Sequence, residues 1–203
     1  MSISEQDRER ISTAIRAAEA KTSGEIVCVL AKNSTDVTAL PVFIAAVVAL
    51  ALPWLLVAIT AMPVNRILLL QIVVFLALAT LLCLPRIRVA LIPRAARRAV
   101  AYRVAMEQFT IRGIAQTKDR TGILIFVSLA ERYARIIADE GIAARVPQSE
   151  WQGAIDTLVA HMRDGRIADG FIAAIDVCGS ELATHFPRTN ADRDELRDRI
   201  YLI

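Results

Sequence analysis

The chain has 203 residues, of which 55% are hydrophobic and 22% charged, and a formal net charge of +3. The apolar share is high for one water-soluble domain, while the small net charge excludes the broad basic surface of a nucleic-acid-binding protein. Cys28, Cys83 and Cys178 are odd in number, far apart and without C-x-x-C spacing, which argues against a disulfide framework and a thiolate metal site; reduced, buried thiols are expected.

Ser4 followed by Asp7 resembles a capping box, and Ile11, Ala14, Ile15 and Ala18 recur at helical spacing, predicting a first helix from about Ser4 to Lys21. Thr22, Ser23 and Gly24 break it. Glu25 to Ala31 follows as a nearly continuous apolar run, of the kind found in strands covered on both faces.

The apolar excess lies in what comes next. No charged residue stands between Asp36 and Arg66, nor from Ile67 to Pro85, so two runs reach the length a bilayer requires. The second holds thirteen Leu, Ile, Val or Phe residues from Ile67 to Leu84, each worth about −0.3 to −0.6 kcal/mol on the insertion scale, which outweighs Gln71. Two buried helices of a soluble core would need far more surrounding protein than the remaining residues supply. A two-helix transmembrane hairpin is predicted, with spans near 40–61 and 67–84, closed by the short turn Met62 to Arg66. Pro53 removes the hydrogen bond to the Ala49 carbonyl and predicts a kink in the first span. Ala45, Ala46 and Ala49 allow close helix approach, within the hairpin or to another chain.

Both termini then share one side. Arg86, Arg88, Arg94, Arg97, Arg98 and Arg103 follow the second span, whereas the hairpin tip carries Arg66 alone, so the positive-inside bias places both termini in the cytoplasm and the hairpin in the cell's inner (plasma) membrane. About 40 residues, with no long apolar stretch near the N-terminus, precede the first span, which argues against a cleavable signal peptide. From Pro93 to about Arg112 an amphipathic helix is expected, with Ala99, Tyr102, Met106 and Phe109 along one side. Its basic flank (Arg86, Arg88, Arg94, Arg97 and Arg98) is read either as a contact to anionic lipid headgroups or as a positive flank with a solvated helix face.

Thr121 to Val127 and Tyr133 to Ala138 read as two strands joined by a short turn, an antiparallel hairpin. Trp151, Ile155, Leu158, Val159 and Met162 recur at helical spacing up to Asp164 and Gly165, and a final helix carries Phe171, Ile175, Cys178, Leu182 and Phe186. The tail is charged from Arg188 to Arg199 and apolar at Ile200 to Ile203, so it either docks as an edge strand or stays mobile. The fold class is thus α/β, a small mixed sheet covered by helices and interrupted by the membrane hairpin. Residues 1–36 supply the first part of the soluble domain, 37–85 the hairpin, 86–187 the basic helix and the rest of the domain, and 188–203 the tail.

The order of elements, together with Asp119 to Ser128, Arg132 and the run Asp139-Glu140-Gly141, resembles the TPM-domain family. An acidic residue before a Gly-Val-Leu-Leu strand, an arginine in the next turn and a glycine ending the following strand mark that family, and Asp119, Arg132 and Gly141 stand at those places. The resemblance implies a small sheet covered by helices, roles in membrane-complex maintenance or as a receptor accessory and, as in some plant members, acid phosphatase activity. The common family layout is an exported domain followed by one anchoring helix; here the spans interrupt the domain after its first strand.

The residues themselves test the phosphatase expectation. Six positions after the three cysteines stand Ser34, Val89 and Thr184, so no Cys-x5-Arg phosphate cradle exists. The one D-x-D, Asp192-Arg193-Asp194, lies in the charged tail rather than at a strand end, so it is not the nucleophile motif; G-x-S-x-G, P-loop and H-E-x-x-H motifs are absent, and His161 and His185 stand alone. With the first two strands parallel, Glu25, Asp119, Asp139 and Glu140 gather at their starting edge. Two readings follow: a divalent site for Ca²⁺ or Mg²⁺ able to hold a phosphate, or a solvated acidic rim. Because the hairpin leaves from the other end of the first strand, this edge is expected to face away from the bilayer. The favoured function is a membrane-anchored interaction module supporting assembly or maintenance of a membrane protein complex, with a membrane protein as partner; the alternative is a divalent-metal-dependent phosphatase.

Overall fold

The computed structural model describes residues 3–33, 39–84, 87, 93–188 and 195–203. The chain divides into two compact units, residues 1–34 with 99–203, and residues 35–98.

In the first unit, helix α1 (Glu5–Glu19) starts where Ser4 accepts a hydrogen bond from the Asp7 amide and donates one to the Asp7 carboxylate. Strand β1 (Glu25–Ala31) follows, all seven residues buried. Helix α4 (Arg94–Ile111) leads through a short 3₁₀ turn, Ile114–Gln116, into β2 (Gly122–Ser128) and β3 (Tyr133–Ala138). Then come the single turn α5 (Glu140–Ala143), a 3₁₀ turn at Gln148–Trp151, helices α6 (Gln152–Arg163) and α7 (Ile167–His185), and strand β4 (Ile200–Leu202).

The four strands form one mixed sheet in the order β3-β2-β1-β4. β1 runs parallel to β2, with Glu25 opposite Gly122, and parallel to β4, with Cys28 opposite Ile200; β2 and β3 are antiparallel, with Ile123 opposite Ala138. The unbroken apolar runs of β1 and β2 follow from this position, since alternate side chains enter two different cores. Ile26, Cys28, Leu30, Ile123, Ile125 and Val127 pack with Ile11 and Ile15 of α1, with Leu158 of α6, and with Phe171, Ile175 and Leu182 of α7. On the opposite face Val27, Val29, Leu124 and Phe126 pack with Ala101, Ala105 and Phe109 of α4 and with Ile114. Fully burying an aliphatic or Phe side chain contributes about 1.5–3 kcal/mol, so these two layers hold most of the unit's favourable energy. The small mixed sheet covered by helices is therefore as expected, and the apolar end of the tail forms an edge strand.

In the second unit α2 (Ala39–Ile59) and α3 (Val64–Cys83) pack against each other. α2 continues through Pro53, which has no N–H for the Ala49 carbonyl. Pro41, Ala45 and Ala49, one turn apart, are its buried residues among those described. Both helices are long and apolar enough to cross a membrane, over Pro41–Ile59 and Val64–Cys83, with only 11% and 6% of those windows buried. At 1.5 Å rise per residue, about 20 residues match a hydrocarbon core of about 30 Å. Phe43, Leu50, Trp54, Leu69 and Leu76 are all exposed, far more apolar surface than an aqueous monomer normally carries.

Candidate functional site

The acidic rim at the starting edge of β1 and β2 is built from backbone outward. The Glu25 amide donates to the Thr121 carbonyl at 3.1 Å, and the Thr121 hydroxyl donates to the Ser23 carbonyl at 3.1 Å, tying the two strand starts together. β3 returns to the same edge, where the Asp139 amide donates to the Gly122 carbonyl at 2.9 Å.

Each of the four carboxylates has a different fate. Glu25 is buried and accepts from the amides of Glu195 and Leu196, at 3.1 and 3.2 Å. Asp139, 3% exposed, caps α5 by accepting from the Glu140 amide at 2.7 Å and takes the Arg120 Nε at 2.9 Å. Glu140 is exposed and meets a terminal nitrogen of Arg120 at 3.3 Å. Asp119 is exposed and makes no hydrogen bond or ion pair with any described residue. Among the described residues, no three His, Cys, Asp or Glu side chains come together in a group able to hold a metal ion.

Between the rim's carboxylates, where the sequence allows Glu25, Asp119, Asp139 and Glu140 to hold a cation, stands Arg120. With φ of 55° it occupies the left-handed region, which turns its guanidinium onto Asp139 and Glu140. The bond from Asp139, its main cause, raises the Arg120 pKa further above its ordinary value. A cation entering here would have to displace a guanidinium already bonded to both carboxylates. Arg120 was legible as a residue but not as a partner, because nothing in a sequence signals a non-glycine residue at positive φ.

A second acidic group lies nearby and carries no sequence signal either. Glu19, on the last turn of α1, accepts from the Ile26 amide at 2.7 Å and stands close enough to Glu25 and Asp198 to feel their charge. Burial is the main cause that pushes its pKa up to about 9, so the carboxyl holds its proton at neutral pH. Cys28 and Cys178 are free and fully buried, and burial raises both thiols above their ordinary value, which makes them inert packing groups.

Of the basic flank, Arg94 and Arg98 are exposed and Arg97 is half-buried at the start of α4, with no acidic residue in its first turn. Arg86 and Arg88 lie outside the described residues.

Residues 85–181 match the family model described as the TPM domain, so the resemblance resting on Asp119, Arg132 and Gly141 holds. Among solved structures, the chain is similar to the NMR structure of the BA42 protein from the psychrophilic bacterium Bizionia argentinensis. The TM-score is 0.62 at 20% identity, over 100% of this chain and 96% of that one, a likeness of fold. No curated protein matches the sequence.

Proposed function

We propose that this chain, which carries a TPM domain at residues 85–181, is a two-pass protein of the inner (plasma) membrane with both termini cytoplasmic. Its α/β unit acts there as an interaction module that supports assembly or maintenance of a membrane protein complex. Two helices of membrane-spanning length support the anchoring, since their outward side chains are apolar almost throughout. The arginines that open α4 suit anionic lipid headgroups, each worth roughly 1 kcal/mol near such a surface.

The observation that carries the non-enzymatic half of this reading is the engagement of the rim. Asp139 and Glu140 are bonded to Arg120, and Glu25 to two backbone amides, so three of the four carboxylates hold the fold together. Asp119 alone makes no hydrogen bond or ion pair with a described residue, while Glu140 is exposed but paired. Among the described residues of the rim, the Thr22, Ser23 and Thr121 hydroxyls donate to backbone carbonyls rather than to a carboxylate or a histidine.

Full-length protein in detergent, assayed on a generic phosphate ester with and without Ca²⁺ or Mg²⁺, tests the reading. It predicts no metal-dependent turnover and co-purification of a defined membrane protein. Metal-dependent turnover that is lost in Asp119→Asn would contradict it and establish a phosphatase instead.

A further inference from the structure

Among the described residues, two that are not glycine stand at positive φ, and both are arginines: Arg120 and Arg132. Arg120 meets Asp139 and Glu140. Arg132, at φ 50° in the turn from β2 to β3, is exposed and ion-pairs with no described residue. Glycine or asparagine would fill that turn at lower conformational cost, so the shape of the turn does not account for an arginine. Its side chain is what the position offers.

The turn lies at the edge where the parallel strands β1 and β2 end. The Leu129 amide donates to the Ala31 carbonyl at 3.0 Å and the Ala130 amide to the Lys32 carbonyl at 3.1 Å, which seats Lys32 beside the turn. Lys32 is exposed and also ion-pairs with no described residue. Arg135, near the start of β3, lies on the α4 face of the sheet, its guanidinium 5.0 Å from the centre of the Tyr102 ring. Tyr102 is 42% exposed. The carboxylate of the turn, Glu131, is buried and accepts from the Ser128 hydroxyl, while Glu25, Asp119, Asp139 and Glu140 gather at the opposite edge. Other arginines of the unit, Arg8, Arg10, Arg16 and Arg166, each meet a carboxylate. Three cations from three segments and an amphipathic ring thus share the edge where β1 and β2 end.

We propose that this edge docks on anionic phospholipid headgroups, with Arg132, Lys32 and Arg135 on lipid phosphates and the Tyr102 ring at headgroup level. The inference rests on the anchoring proposed above and adds, to the arginines that open α4, a set drawn from the sheet itself. Arginine meets a phosphate through its planar fork, lysine as a compact charge, and tyrosine favours the membrane interface. The chain's own path favours a bilayer over an acidic peptide. β1 ends at Ala31 and α2 begins at Ala39, so at most about 29 Å of extended chain separates this edge from the first apolar helix. That tether keeps the three cations within reach of headgroups whatever else the protein binds. Docking here leaves the acidic rim, at the other end of the strands, free for a protein partner.

Full-length protein in nanodiscs of phosphatidylcholine alone, or of phosphatidylcholine mixed equally with phosphatidylglycerol, tests the docking. With Cys83→Ser the remaining thiols are buried; Asn33→Cys, exposed beside Lys32, reports on the edge, and Gln116→Cys, exposed ahead of β2, is the reference at the other end of the strands. Labelling of Asn33→Cys by an uncharged maleimide is expected to slow about fivefold or more in the phosphatidylglycerol discs, the factor that one Lys or Arg near an anionic surface contributes. High salt restores the rate, and Gln116→Cys labels equally in both lipids. Arg132→Asn suits a positive φ, so it removes the charge and keeps the turn; combined with Lys32→Gln and Arg135→Gln it is expected to abolish the lipid effect, whereas Arg132→Lys keeps it. Cys28 and Cys178 staying unlabelled shows that each variant is folded. Equal labelling of Asn33→Cys in the two lipids, a lipid effect insensitive to salt, or one that survives the triple substitution would overturn the docking and leave the anchor standing. A chain that fails to enter the discs would overturn both.

Discussion

Gly141→Ala is expected to destabilise the α/β unit by about 3 kcal/mol, the upper part of the range for forcing a methyl into packed structure. A Cβ at this position would stand 2.5 Å from the Asp119 carbonyl oxygen and 2.6 Å from that of Arg120. Both are backbone atoms, so neither can swing aside as a flexible side chain would. The Gly141 amide also donates to the Arg120 carbonyl at 3.1 Å, and any shift that relieves the clash breaks this bond. Gly153→Ala is the counter-case: no atom lies within 4 Å of its Cβ, near the start of α6, and the substitution should stabilise by about 0.5–1 kcal/mol. Thermal unfolding followed by near-ultraviolet circular dichroism should lower the midpoint for the first and raise it slightly for the second.

Asp139→Ala is the second large effect, a loss of about 2 kcal/mol. The figure comes from the α5 cap and the unpaired Glu140 amide left behind. The ion pair to the solvent-exposed Arg120 adds little to it, as exposed pairs do. Asp119→Asn, on the same rim three residues before β2 begins, should change stability by less than about 0.5 kcal/mol. The contrast separates two carboxylates that look alike in sequence. One closes a turn, and the other touches nothing described.

The parts of the fold legible in the sequence are those where periodicity reports burial. β1 and β3 have the bounds expected of them, β2 is displaced by one residue, and the two apolar helices match the expected spans to within about three residues at each end because every position there repeats the same message. The rim was only half legible. Parallel pairing of β1 and β2 and the return of β3 bring the four acidic positions to one edge, as topology predicts. Which group each carboxylate bonds is decided by turn geometry, above all by Arg120 at φ 55°, and turn geometry leaves no periodic trace.

Anchoring by a two-pass hairpin with cytoplasmic termini is the claim on which the functional reading depends, and cysteine labelling in intact cells tests it most directly. In a Cys83→Ser background the remaining thiols, Cys28 and Cys178, are buried and unreactive. Asn65→Cys at the exposed hairpin tip and Gln6→Cys on the exposed side of α1 then report the two sides. With a membrane-impermeant maleimide, Asn65→Cys should label in intact cells and Gln6→Cys only after the membrane is permeabilised. Labelling of Gln6→Cys in intact cells, or recovery of the chain in the soluble fraction, would contradict the account.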